Sequence, residues 1–248
     1  MENKRNNIII RKNVTIAVLA ALAIVLGLWE IPWTVGLIPA LRIELSDVIT
    51  LIALGLVGIS GTSIMLGIKA IARFLIIRLS TSVFGPAGGM YEELIALLAS
   101  FAYVFGFFIS SKITLNMKTW VKHTVNVLFV TLFVSVVMVF SNFIFSTPMY
   151  LYFVLGADTF HPTVFTMIKD SAYTNPLLGL KMPEVSLWGF FIFCIIAYLP
   201  FNLVKASIST TIGTIVADIL RIIPFIRDMM PQKELNNVNA DEQIVNQD

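Results

Sequence analysis

Long runs of apolar residues, separated by short polar segments, extend over most of the chain. Several of these runs are long enough to cross a hydrocarbon core of roughly 30 Å as an α-helix. The pattern therefore predicts an all-α integral membrane protein that forms one membrane domain. Six transmembrane helices are predicted, at about 14–29, 48–57, 62–74, 93–111, 124–145 and 200–221.

The second and third predicted helices come from one apolar run that is too long for a single straight span. Residues 45–79 would form a helix of roughly 52 Å, and the run is interrupted by Gly58-Ile59-Ser60-Gly61. Charge supports a break there, because cytoplasmic segments are enriched in Lys and Arg. Basic side chains place both the N-terminus and the loop before the fifth helix in the cytoplasm, so an even number of spans must separate them. These side chains are Lys4, Arg5, Arg11, Lys12, Lys112, Lys118 and Lys122.

The last apolar region, residues 185–223, contains Pro200 and is also too long for one helix. Pro is favoured in the first turn of a helix, so the sixth helix is predicted to begin at Pro200 and to end near Arg221. Residues 187–199 then form a short extra apolar segment that is packed at the external surface or re-entrant. The loops at 30–47 and 146–184 are external in this arrangement, and the N- and C-termini are cytoplasmic.

Three segments follow from this topology. They are a cytoplasmic basic segment at 1–12, a six-helix membrane domain at 13–224, and a cytoplasmic tail at 225–248. The tail is rich in Asn, Gln and acidic residues and is predicted to be disordered.

Composition agrees with a membrane domain and excludes several other classes. The chain is 57% hydrophobic and only 13% charged, with a mean hydropathy of +0.87, whereas soluble domains carry about 25% charged residues. So few exposed charges cannot form a basic patch for nucleic acid. The single cysteine, Cys194, excludes an internal disulfide and is predicted to be buried. No cluster has the spacing of a metal site, so neither a metal nor a cofactor is predicted.

Polar residues inside the predicted helices indicate a site that opens to the outside. Asn142 lies near the external end of helix five, and Asn202 and Lys205 share one face near the external start of helix six. Two amides and an ammonium can bind a ligand but offer no catalytic chemistry. The alternative is that Lys205 extends to the membrane surface and the asparagines join helices.

Charged residues mark two further places. Lys69 and Arg73, spaced i and i+4, face the start of helix four at Glu92 and Glu93, either as a structural ion pair or as a polar wall for a ligand. The first external loop is surrounded by Trp29, Trp33, Arg42, Glu44 and Asp47, which form either an interface anchor or a flap over the outward pocket.

A strip of small residues lies on helix one, where Ala17 and Ala21 are accompanied by Ala20 and Gly27. Small residues allow a second helix to approach closely. Packing inside the protein and docking of a partner membrane protein are both compatible with this strip.

Enzyme hypotheses fit poorly. Gly58-Ile59-Ser60-Gly61 matches a short motif of intramembrane serine proteases, but that chemistry needs a histidine beside the serine. The only histidines, His123 and His161, lie in predicted loops. No phosphate-binding Gly-rich loop is present either. A membrane subunit that captures a substrate fits better, with an intramembrane enzyme or a scaffold as the alternative.

Five stretches, in order over roughly residues 13–222, resemble the substrate-binding S components of energy-coupling factor (ECF) vitamin transporters, and among them the riboflavin-specific type. The last two stretches are the most specific to that type. The five are Ala17-x-x-x-Ala21, Leu41-Arg-Ile-Glu-Leu-Ser-Asp47, Lys69 followed by Gly88-Gly89 and Glu92, Asn142-Phe-Ile-Phe-Ser-Thr-Pro148-Met-Tyr150, and Leu187-Trp188 with Pro200-Phe-Asn202-Leu-Val-Lys205.

The resemblance implies a function and a set of partners. Riboflavin would be the transported ligand, bound outside a bacterial cell by a multi-pass subunit of the plasma membrane. A transmembrane T component and two cytoplasmic ABC-type ATPases would complete the importer, and the S subunit would topple to deliver its ligand. Ala17 and Ala21 would face the T component. The implied substrate-binding residues are Asn142, Asn202, Lys205, Leu41, Glu44, Asp47, Lys69 and Glu92.

The chain departs from the family pattern at two positions. Ala70 stands where the family often has an asparagine, and Ile95 lies in a helix start that lacks another one. These departures bear on the ligand more than on the family, and they leave open FMN or a different vitamin.

Overall fold

Five long helices and one short hairpin make up the fold. The structure is a computed structural model that describes residues 2–33, 41–78, 85–115, 117–149, 164 and 187–223. The predicted tail at 225–248 and nearly all of the predicted loop at 146–184 lie outside these residues. The helices are α1 (Glu2–Leu26), α2 (Ser46–Arg73), α3 (Gly85–Ile113), α4 (Thr119–Ser141) and α5 (Leu187–Arg221), and the strands are β1 (Glu30–Pro32) and β2 (Arg42–Glu44). Turns of π-helix extend α2 over Phe74–Arg78 and α4 over Asn142–Ser146.

All five helices, within the described ranges, are long and apolar enough to cross a membrane. Their outward faces carry large apolar side chains, as lipid contact requires. Helix α2 is the most buried, and α1, α3 and α5 all pack against it. Helix α4 packs between α3 and α5. The mostly helical membrane fold predicted from the sequence is therefore confirmed.

Helix α2 reverses direction at Gly58, inside the predicted break. Gly58 has φ of 72°, a left-handed conformation that a side chain disfavours. Beyond it, Lys69 Nζ lies 3.1 Å from Ser46 Oγ, although a straight helix would separate these residues by roughly 34 Å. Residues 46–57, the first arm, and residues 59–73, the second arm, therefore lie side by side. The total of six membrane spans stays a prediction, as do the sides of the termini.

Helix α5 corrects the prediction for the last region. It begins at Leu187 and not at Pro200, and it continues through Pro200 to Arg221. Residues 187–199 are thus the first half of this helix rather than a separate surface or re-entrant segment. Pro200 removes one backbone hydrogen bond. Ending the helix there, in an apolar environment, would leave several more backbone groups unpaired. The long helix is the less costly arrangement.

The strands β1 and β2 form an antiparallel hairpin where the sequence predicts an external loop. Ile31 pairs with Ile43, and Arg42 Nε forms an ion pair with Glu30 across the hairpin at 3.2 Å. The hairpin connects the end of α1 to the start of α2, and it brings Glu44 next to the first turn of α2. The all-α prediction was wrong in this detail.

Candidate functional site

Charged side chains from β2, both arms of α2, α3 and α5 meet inside one end of the fold. Ser46 and Asp47 begin α2, where an acidic residue in the first turn is favoured by the helix dipole. Because the second arm returns antiparallel to the first, its last turns lie beside the same residues. The reversal at Gly58 thus creates this cluster, which we call the ionic network: Glu44, Ser46, Asp47, Lys69, Arg73, Glu93, Ser100 and Lys205.

Arg73 is the most deeply buried charge of the ionic network, with 1% of its side chain exposed. Its Nη1 and Nη2 donate to the two carboxylate oxygens of Glu44 at 2.7 and 3.1 Å, and its Nε lies 3.3 Å from Glu93 Oε1. Burial alone would raise the pKa of Glu44, but the hydrogen bonds and charge of Arg73 lower that pKa to about 2. Gly27 gives the guanidinium room, since a Cβ there would lie 2.9 Å from Nη1.

Asp47 connects two ammonium groups in the same cluster. Its Oδ2 lies 3.0 Å from Lys205 Nζ, and its Oδ1 accepts a hydrogen bond from Ser100 Oγ at 3.1 Å. Lys69 Nζ in turn donates to Ser100 Oγ at 3.3 Å and to Ser46 Oγ at 3.1 Å. Asp47 and Lys69 are each only 3% exposed, whereas the Lys205 side chain is 17% exposed.

The ionic network is balanced in charge. Its three carboxylates (Glu44, Asp47 and Glu93) match its three cations (Lys69, Arg73 and Lys205). Burying an unpaired charge costs roughly several kcal/mol. The charges of the ionic network can be buried because they are paired. The network can orient polar groups of a ligand without a net charge of its own.

Apolar and amide groups adjoin the ionic network on α4 and α5. Asn202 lies one turn before Lys205 and is buried, and its Nδ2 has no hydrogen-bond partner among the described residues. Asn142 begins the π-helical turn after α4, and its Nδ2 donates to Met138 O at 2.7 Å. Leu41 packs against an apolar cluster between the ends of α4 and α5. The cluster consists of Val139, Val164, Phe190, Phe193, Cys194, Ala197 and Tyr198.

The two tryptophans of the first loop differ in their surroundings. Trp29 is exposed, as expected of an anchor in the membrane interface. Trp33 packs edge-on against Phe201 of α5, with ring centroids 5.7 Å apart. The hairpin therefore contacts α5 one residue before Asn202.

Four of the sequence-predicted binding residues come together directly: Glu44, Asp47, Lys69 and Lys205. Asn202 adjoins them, Asn142 and Leu41 border the apolar cluster, and Glu92 is half-buried next to Glu93 on α3. Of the two glutamates it is Glu93 that is placed 3.3 Å from Arg73, as the ion-pair interpretation of this region anticipated. Ser46 and Ser100 were missed. Ser100 lies seven residues after Glu93, hence on the same helix face, and that spacing could have identified it.

The small residues of α1, together with Gly27 just after its end, fall on two different faces. Ala20, Ala23 and Gly27 are buried inside the protein, whereas Ala17 and Ala21 are exposed. The strip thus serves internal packing with one set of residues and leaves Ala17 and Ala21 on an outer surface.

The opposite end of the fold carries a smaller polar cluster. Arg221 donates from Nε and Nη2 to Gly55 O at 3.2 and 3.1 Å, close to the reversal at Gly58. Asp218 accepts from Arg221 Nη1 at 3.2 Å and lies 2.6 Å from His123 Nε2. Asp218 and His123 are about 40% exposed. Among the described residues, no group of His, Cys, Asp and Glu side chains is arranged to hold a metal ion.

Comparison with known proteins gives one family and one similar structure. The family described as "ECF transporter, substrate-specific component" matches residues 11–217. A solved structure of the S component of a bacterial ECF transporter is similar with a TM-score of 0.54 and 18% sequence identity, over 84% of this chain and 94% of that one. No curated protein sequence matches the chain.

Proposed function

The chain belongs to the substrate-specific components of ECF transporters, and from this premise we propose that it captures riboflavin outside the cell for import. Proteins of this family are transporter subunits that bind the substrate and are not enzymes. The observation that carries the proposal is the pairing of the ionic network with the buried amide of Asn202 and the aromatic side chains beside it.

A flavin is complementary to these groups. Its isoalloxazine presents carbonyl and N–H groups along one edge and a flat apolar face, and its ribityl chain presents hydroxyls. Asn202 Nδ2 and the Lys205 ammonium can donate to carbonyls or hydroxyls. The apolar face fits against leucine and aromatic side chains such as Leu41, Phe143 and Trp33, as is usual in ligand pockets.

The charge balance of the ionic network supports riboflavin over its phosphorylated form. Riboflavin is uncharged at neutral pH, whereas a phosphate monoester carries about −1.5 to −2. A phosphate that drew Lys205 away from Asp47 would break this ion pair. Breaking a buried pair in this way typically costs about 3–5 kcal/mol.

The proposed orientation places the ionic network at the outer side. The two arms of α2 then count as two crossings, which gives six spans and two cytoplasmic termini. The basic side chains of 1–12 and of Lys112, Lys118 and Lys122 support this orientation. The first arm, at roughly 18 Å, is shorter than the hydrocarbon core, and the hairpin of β1 and β2 continues it outward.

The family also implies partners, namely a transmembrane T component and ATPase subunits. In this proposal two cytoplasmic ATPases energise the importer in a bacterial plasma membrane. The exposed Ala17 and Ala21 support a contact between α1 and the T component, since their small side chains allow close helix packing.

Titration of the purified full-length chain in detergent tests the proposal. Riboflavin fluorescence should be quenched saturably at one flavin per chain, and a preparation that retains ligand should be yellow. The same titration with thiamine, pantothenate, folate and biotin, followed by intrinsic tryptophan fluorescence, is the comparison. Saturable binding of one of these vitamins, without binding of riboflavin, would contradict the flavin assignment and favour another substrate.

A further inference from the structure

Both carboxylate oxygens of Asp47 contact side chains of the protein itself. One carboxylate oxygen faces Lys205 Nζ at 3.0 Å, and the other accepts from Ser100 at 3.1 Å. Ser100 also accepts from Lys69, so its hydroxyl links the second ammonium group to the same carboxylate. Asp47 is only 3% exposed and is therefore buried among these partners.

Lys205 is the more accessible partner of this pair. Its side chain is 17% exposed, and it lies one turn from Asn202. An ammonium has three N–H donors, so Lys205 can keep its contact with Asp47 and still donate to a ligand. Asp47 then fixes the direction of the ammonium and cancels its charge.

We propose that Asp47 is a specificity-determining residue that acts through Lys205 and makes the site prefer an uncharged flavin to a phosphorylated one. This inference rests on the proposed function, because it concerns the same site. It assigns to Asp47 a positioning and neutralising role and no direct contact with the ligand. Loss of the carboxylate would leave Lys69 and Lys205 with excess positive charge, which attracts a phosphate.

The test is the ratio of the dissociation constants for FMN and riboflavin, measured by fluorescence quenching at low ionic strength. Asp47→Asn preserves the shape and an acceptor oxygen while it removes the charge. The ratio should fall about tenfold or more, because FMN gains relative to riboflavin. Asp218→Asn is the matched control, since it removes a carboxylate paired with a basic side chain at the opposite end, and it should leave the ratio unchanged.

A merely structural role predicts a different result. Asp47→Asn would then weaken the binding of both flavins by the same factor. An unchanged ratio of their dissociation constants would therefore overturn the inference. If this variant does not purify as a monodisperse protein, Lys205→Met decides. That substitution leaves excess negative charge, so the ratio should rise about tenfold, and a ratio that stays constant or falls would overturn the inference.

Wild-type binding separates this inference from the proposed function. A wild-type chain that binds neither flavin contradicts the proposed function, and the charge preference with it. A wild-type chain that binds riboflavin, together with an Asp47→Asn variant of unchanged ratio, contradicts the role of Asp47 alone.

Discussion

The two ends of the helix bundle handle their charges in opposite ways. At one end, the ionic network buries three acids and three cations between four separate parts of the chain. At the other end, His123 and Asp218 are about 40% exposed, and Arg221 mainly caps the carbonyl of Gly55. Pairs at the surface contribute roughly 0–1 kcal/mol, whereas breaking a buried pair is far more costly. The first end is therefore suited to recognition of a ligand, and the second to capping the end of a helix.

Removal of one cation from each end should give the largest difference in stability between variants of the two ends. Arg73→Met would remove the cation that pairs with the carboxylates of Glu44 and Glu93, and we expect a loss of about 3–5 kcal/mol in unfolding free energy. Arg221→Met is the matched substitution, with an expected loss of about 1 kcal/mol, since its head group bonds a backbone carbonyl and a half-exposed acid. Unfolding in mixed micelles, followed by circular dichroism, measures both.

A further variant keeps this prediction informative if Arg73→Met does not fold. The triple variant Arg73→Met/Glu44→Gln/Glu93→Gln removes all three charges and should recover part of the lost stability. Equal stability of Arg73→Met and the wild type would contradict the account of the buried end.

The exposed face of α1 gives a second contrast, because it belongs to neither end. Replacing Ala17 and Ala21 with leucine should leave riboflavin affinity unchanged and reduce uptake by the assembled transporter at least about tenfold, since bulky side chains prevent close helix packing. Ala17→Ser and Ala21→Ser, which keep both side chains small at the same positions, are the control pair and should leave uptake unchanged. Normal uptake by the leucine variants would refute a docking role for this face.

The smallest expected effect is that of pH near neutrality on the stability of the end that contains the ionic network. Because the pKa of Glu44 is lowered to about 2 from 4.5, its contribution to stability is fully present above pH 4.5 and is lost as the pH falls towards 2. Thermal stability should therefore lose the Glu44 contribution only below pH 4.5. Glu44→Gln should be less stable at neutral pH and less sensitive to acid. An equal acid sensitivity of this variant and the wild type would show that Glu44 carries no such linkage.

Sequence reasoning succeeded where one local signal governs the structure. Apolar length predicted the helices, and the glycines at 58 and 61, together with charge parity, predicted the break that Gly58 makes. Prediction of the start of α5 at Pro200 was wrong, because the lack of water around an apolar helix outweighs one missing hydrogen bond. The β1–β2 hairpin was missed, since strands of three residues leave no periodic pattern.

The site was predictable only where a local signal, such as helical spacing, or the family resemblance identified a residue. Helical spacing placed Asn202 and Lys205 on one face, and resemblance suggested Asp47, Glu44 and Lys69. The pairing of Arg73 with Glu44, 29 residues away, depends on the reversal of α2. A single sequence offers several acids for each base, so it does not identify which pairs form.

The most direct test is riboflavin titration of matched variants from the two ends. We expect Asn202→Ala and Lys205→Met each to weaken riboflavin binding about 10- to 100-fold, as loss of a buried hydrogen-bond donor would. The variants His123→Ala and Asp218→Asn should bind riboflavin as the wild type does. Unchanged affinity in a double variant of Asn202 and Lys205 that remains folded would contradict the placement of the ligand beside the ionic network.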